Sequence, residues 1–213
     1  EMEEEGPYGE MYGFMGLKKN QNFFMHINAV THRNNPWIVN SFAGVTKISP
    51  SILQTVINSI DYKEEIPNLL DIYRPAESTG VLLASIDKQH AGEGMSAGRI
   101  LAEKDFFGKV IIVVDKDVDV HDKAEIFQAL GTRWQPYPAA EIVEETKGMP
   151  LDASAPKRFF TSKIIIDATR QFSDEGGPTI WPEISKVMLQ ELSPDTFDLI
   201  EQNWESYFSD WKP

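Results

Sequence analysis

The run Val110-Ile111-Ile112-Val113-Val114, with Lys109 before it and Asp115 after it, constrains this chain more than any other feature. Unbroken β-branched residues suit a strand covered on both faces, and such strands belong to parallel sheets sandwiched between helices. Val81 to Ile86 reads as a second buried strand, and Glu93 to Phe106 as a helix of small residues that tolerates close packing. A helix is predicted from about Lys123 to Leu130, with Asp122 as N-cap, Glu125 closing a capping box and Gly131 as the stop. Glu141 to Glu145 and Lys163 to Asp167 are further strand candidates, after a short run at Leu69 to Tyr73. The alternation β-α-β-α-β predicts an α/β fold, a three-layer sheet with flanking helices.

The flanks are less regular. Aromatic and β-branched residues from Phe23 to Thr31 predict a strand, and the break Arg33-Asn34-Asn35-Pro36 a turn into a second one. Ser49-Pro50 marks a helix start, with Ile52, Leu53, Val56, Ile57 and Ile60 on one face that is expected to join the core. Two helices are predicted to close the chain, near Pro182 to Leu192 and Pro194 to Ser209. The last carries Phe197, Ile200, Trp204, Phe208 and Trp211 as an apolar stripe, which calls for a covering surface such as a second subunit.

Composition excludes several classes. With 20 Lys+Arg against 33 Asp+Glu, the net charge of −13 repels a phosphate backbone, and no basic cluster offsets it, so nucleic acid is not an expected partner. The longest purely apolar run has five residues, far below the ~18–20 that a membrane-spanning helix needs. The absence of cysteine rules out disulfides and thiolate chemistry and fits the cytoplasm. The opening Glu1-Met2-Glu3-Glu4-Glu5 resembles the middle of a longer polypeptide, so the chain is expected to be its C-terminal part.

Two segments bear acids in suggestive patterns. In Glu5-Gly6-Pro7-Tyr8-Gly9-Glu10 the glycines and proline bend the chain between two carboxylates, which full extension would hold about 16–18 Å apart. Brought together, two carboxylates push each other's pKa apart and leave one able to act as a general acid. An acidic surface turn is the plainer reading. Asp115-Lys116-Asp117-Val118-Asp119-Val120-His121-Asp122 follows the central strand, at the carboxyl end where α/β folds place ligands. It fails as a calcium loop, because Val120 stands where the glycine belongs and Ile126 where the bidentate Glu belongs. It also resembles the Asp-x-Asp motif of haloacid-dehalogenase-type phosphatases, with Asp115 as nucleophile, but Asp119 departs from that pattern. A charged turn capping a helix is the alternative. His26, His32, His90 and His121 show no zinc-ligand spacing, and Gly92-Glu93-Gly94-Met95-Ser96-Ala97-Gly98 is only a loose relative of a dinucleotide loop.

Taken in order, the segments resemble the UbiD family of decarboxylases. The resemblance rests on Glu5 to Glu10, on Val30-Thr31-His32-Arg33 with Pro36, on Val113 to Asp122, on Ala129 to Pro136, on Pro150-Leu151-Asp152 and on Ser162 to Thr169. It implies reversible, non-oxidative decarboxylation of an aromatic or α,β-unsaturated (acrylic) acid on prenylated FMN, which holds the electrons left when CO₂ departs. In the family a Glu-Arg-Glu triad serves the flavin, and its acids map to Glu5 and Glu10, with Glu10 as proton donor. A Glu at the second position points to aryl or acrylic acids over polyprenyl-hydroxybenzoate. Lys109 resembles a lysine that reaches the flavin phosphate, though a solubilising strand-edge lysine fits equally well, and Leu151 lies near a region lining the substrate pocket.

By the same resemblance, residues 1–45 are the tail of a flavin-binding split barrel, 46–180 the C-terminal α/β domain, and 181–213 helices for dimer contact. The family's arginine, its divalent metal (Mn or Mg) with potassium, and their ligands are expected outside this stretch, which would then be inactive alone. A non-catalytic α/β dimerisation module is the alternative function, and the Asp115 phosphatase the third.

Overall fold

A computed structural model describes residues 2–38, 50–183 and 191–207, with the side chains of 50–52 outside the description. Residues 1–177 form one compact unit and 178–213 another. Among the described residues no helix is long and apolar enough to cross a membrane.

The first unit begins with a two-stranded antiparallel sheet, β1 (Met2–Glu5) against β2 (Lys19–Phe23), in which Met2 faces Phe23 and Glu5 faces Lys19. It continues through α1 (Pro50–Glu65), β3 (Leu69–Tyr73), β4 (Val81–Ile86), α2 (Glu93–Lys104), β5 (Val110–Asp115), α3 (Lys123–Thr132), β6 (Ala140–Lys147) and β7 (Phe160–Asp167). The five-stranded sheet runs β3-β4-β5-β7-β6. Its three central strands, β4, β5 and β7, are parallel, while β3 and β6 pair antiparallel at the edges. The unbroken apolar run is thus the middle strand, its residues alternating between two cores. Ile111, Val113, Leu82, Ala84 and Ile165 pack with Tyr62 of α1 and Ala97 and Leu101 of α2. Ile112, Val114, Leu83 and Ile166 pack with Ile126 and Ala129 of α3 on the other face. The three-layer expectation is met.

Four local expectations are corrected. The aromatic run from Phe23 to Thr31 is a strand only at its first residue: β2 lies earlier, where β1 supplies a partner, and Met25, Ile27 and Val30 are exposed. On α1, Leu53, Val56, Ile57 and Ile60 are all more than half exposed, and Thr55 and Tyr62 face inward instead. A hydrophobic period reveals which face is apolar, not what covers it. Asp122 does cap α3 through the Ala124 N–H, but Glu125 accepts from the Asp119 N–H, so no reciprocal box closes. Finally, α3 passes through Gly131 and ends at Thr132, with Arg133 as its C-cap donating its N–H to the Ala129 carbonyl.

In the second unit, α4 spans Pro194–Tyr207, with Leu199, Trp204 and Tyr207 more than half exposed. Phe208, Trp211 and most of the predicted Pro182 to Leu192 helix lie outside the described residues.

Candidate functional site

Beyond β1 the chain passes Gly6, whose φ of +75° lies in the left-handed region that glycine enters without strain, and folds back on itself. The Gly16 N–H donates to the Tyr8 carbonyl (2.7 Å), the Glu10 N–H to Phe14 (2.9 Å) and the Gly13 N–H to Glu10 (2.9 Å). Glu10 therefore sits within a tight hairpin. Its carboxylate lies over Gly16, where a Cβ would stand 2.7 Å from Oε1, so only glycine leaves room for that placement. Glu5 turns away to β2: its Oε2 accepts from Lys19 Nζ at 3.0 Å and from Asn22. The Glu5 carboxylate is thus tied to β2, while that of Glu10 lies over Gly16 within the hairpin.

The hairpin leans on the α/β unit. Met11 and Tyr12, immediately after Glu10, line a cleft of about 510 Å³ together with Thr79, Lys109, Asp152 and Ser154. Val81 and Val110, also on its wall, open β4 and β5, so this cleft lies at the amino ends of the central strands, opposite to the end the sequence favoured. Lys109 Nζ is 2.9 Å from Asp152 Oδ2 and also donates to Ser154. Burial alone would raise the Asp152 carboxyl, but the hydrogen bonds from Lys109 and Ser154 outweigh it and hold the group below the usual carboxylate range. Burial, reinforced by the charge of Asp152, pushes the Tyr12 phenol up to about 12. Leu151 is partly buried beside Asp152 but is not on the cleft wall. Lys109 is thus both in the cleft and already paired, so a phosphate there would share its ammonium with Asp152.

At the carboxyl ends of the strands a smaller space of about 220 Å³ is lined by Asp87, Lys88, Asp115, Asp117, Arg170 and Phe172. Here Asp115 Oδ2 accepts from the Arg170 N–H (2.7 Å) and Arg133 (3.2 Å), and Asp117 accepts from both Arg133 and Arg170. Burial raises the Asp115 carboxyl above its ordinary range; at Asp117 burial is outweighed by Arg133. This geometry is a brace between the β5 end and the β7 end, the charged turn of the sequence reading, and gives the phosphatase reading no support. Among the described residues no group of three or more His, Asp or Glu side chains is placed to hold a metal ion.

This chain is thus a mixed α/β domain with a glycine hairpin whose Met11 and Tyr12, though not Glu10, line its cleft. It belongs to the UbiD family: residues 51–168 match the C-terminal domain of 3-octaprenyl-4-hydroxybenzoate carboxy-lyase, and residues 1–46 match that enzyme's Rift-related domain. It is 29% identical, over 97% of its length and 43% of the relative's, to an uncharacterised protein of Aeropyrum pernix. Among solved structures it resembles the vanillic acid decarboxylase of Sedimentibacter hydroxybenzoicus in an open form (26% identity, TM-score 0.68, covering 95% of this chain and 44% of that one). The UbiD-class enzyme HmfF of Pelotomaculum thermopropionicum, in complex with FMN, shares the fold at 24% identity (TM-score 0.65, 86% of this chain, 42% of that one). The chain spans less than half the length of these relatives.

Proposed function

We propose that this chain is the C-terminal portion of a decarboxylase that removes CO₂, reversibly and without oxidation, from an aromatic or α,β-unsaturated acid. Prenylated FMN is the proposed cofactor; when bound it supplies the electron sink for the carbon–carbon bond that breaks. Support comes from family membership and from the solved relatives, which include a vanillic acid decarboxylase and HmfF with FMN or prenylated FMN. The observation that carries the reading is the placement of Glu10 in a braced hairpin whose next residues wall the cleft holding Lys109. In the proposed reaction the bond to the carboxyl carbon breaks, its electron pair stays on the substrate carbon, and Glu10 delivers the proton that replaces CO₂. Solvent then reprotonates Glu10. Glu5, tied to Lys19, holds the strand that enters the hairpin and is proposed as the second acid of the flavin network. Lys109 is proposed to share its charge with the flavin phosphate, and Leu151 to support the substrate wall from behind Asp152. The divalent ion and potassium implied by the resemblance are proposed to be held by residues outside this stretch.

The exposed stripe of α1 favours a second role beside catalysis, self-association into a homo-oligomer.

The test of the catalytic reading is Glu10→Gln in the flavin-loaded enzyme. Loss of a positioned general acid lowers turnover by roughly 10²–10⁴-fold. Flavin content, read from absorbance, should not change. A Gln variant that still releases CO₂ within threefold of the parent rate would remove Glu10 from the proton path.

A further inference from the structure

Two side-chain hydrogen bonds tie the Glu10 hairpin to the α/β core. The Thr79 hydroxyl donates to the Met11 carbonyl at 3.0 Å, and the Tyr12 hydroxyl donates to the Phe107 carbonyl at 2.9 Å. The two core segments, at Thr79 and at Phe107, are fixed by one buried ion pair. Arg74 and Asp105 have fully buried side chains and meet at 2.6 Å. Arg74 also donates to the Thr79 carbonyl, while Asp105 accepts from the Phe107 N–H at 3.0 Å and from the Gly108 N–H. The backbone at 79 and the backbone at 107 therefore share a single internal anchor, and each grips one of the two residues that follow Glu10.

From this geometry we infer that Thr79 and Tyr12 form a two-point clasp that sets the position of the Glu10 hairpin over the cleft, making them positioning residues for the proton donor. The inference rests on the proposed role of Glu10, but the clasp itself is a property of the apoprotein. Neither hydroxyl bonds to the ion pair: Arg74 binds the Thr79 backbone carbonyl and Asp105 the Phe107 N–H, contacts that Thr79→Val and Tyr12→Phe do not delete. Burial and the neighbouring Asp152 keep the Tyr12 phenol protonated, so it remains a donor across the pH range in which the enzyme would work.

The test uses Tyr12→Phe, Thr79→Val and their combination in the full protein. Hydrogen exchange is followed at the amides of Glu10, Gly13 and Gly16, with the amides of β5 as internal reference. A lost hydrogen bond of ordinary strength speeds local opening by about fivefold. Each single variant should show that much at the hairpin amides, and the double variant more, with β5 unchanged. In the flavin-loaded enzyme the same variants should lower kcat and leave KM nearly as it was.

Unchanged hairpin exchange would overturn the clasp. Faster hairpin exchange with full kcat, in an enzyme that Glu10→Gln inactivates, would overturn its positioning role. An enzyme that keeps its activity with Glu10→Gln would defeat the catalytic reading instead, and the exchange result would still decide the clasp. Should the double variant not fold, Tyr12→Phe alone decides, since its ring keeps the packing.

Discussion

The Asp105 carboxylate accepts from four donors: Arg74, the Tyr62 hydroxyl, and the N–H groups of Phe107 and Gly108. With Arg74 equally buried, removal of one partner leaves a charge in the interior without compensation. Such a loss costs about 3–5 kcal/mol. Asp105→Ala should therefore lower unfolding free energy by that order, measured by urea denaturation. Replacing the pair by two apolar residues should not restore it, because the Phe107 and Gly108 N–H groups and the Thr79 carbonyl would lose their partners as well. A cost below about 1 kcal/mol for Asp105→Ala would mean that water already reaches the pair. Burial raises the Tyr62 phenol above its ordinary value; the neighbouring Asp105 charge adds to the rise and Arg74 opposes it.

At the scale of elements, a titration argument applies to the short 3-10 turn Ser173–Glu175 after β7. Glu175 accepts from Lys88 at 2.6 Å, from the Gly92 N–H at 2.6 Å and from the Phe172 N–H at 2.7 Å, joining the turn to the loop that leads into α2. Burial works against its charge, but these donors outweigh burial and hold the carboxyl below its ordinary value. Its folded pKa is depressed, so the stability it contributes is present above the unfolded value of about 4.3 and is lost as pH falls through the folded one. Lys88→Met should move the Glu175 titration toward the ordinary range and start the acid loosening of this turn at higher pH. Carboxyl NMR titration checks the first statement and hydrogen exchange at Gly92 and Phe172 the second. An unmoved Glu175 titration would assign the shift to the two backbone donors alone.

Elements also show what was legible beforehand. Both buried strands were clear because a continuous apolar run bounded by charge has few other uses, and β4 occupies the predicted residues while β5 extends by Asp115 alone. Helix ends were less clear, since Gly131 permits a stop without enforcing one and Arg133 carries the last turn. The acid hairpin stood out as Gly-Pro chemistry, and the structure places Glu10 in it. The clasp did not stand out, because its halves lie 68 residues apart for Thr79 and Met11 and 95 for Tyr12 and Phe107. An isolated Thr or Tyr carries no sequence signal of such a pairing.

For the molecule as a whole, the apolar face of α1 is the feature least reconciled with a chain of net charge −13. Leu53, Val56, Ile57 and Ile60 are 65%, 62%, 53% and 67% exposed, and they recur at the spacing of one helical face. Charge of one sign keeps such molecules apart in solution, whereas a contiguous apolar stripe draws surfaces together over a few ångströms. If the stripe is a contact between copies, placing charge on it should undo the contact without disturbing the fold, because Thr55 and Tyr62 on the opposite side carry the helix's attachment to the core. Val56→Glu with Ile60→Glu puts two like charges one turn apart on each protomer and faces them with two more across a symmetric interface. Sedimentation velocity should then shift from an oligomer to a smaller species at unchanged far-UV circular dichroism. A sedimentation coefficient that stays the same would take α1 out of the interface and leave its exposed stripe to be explained by another covering segment.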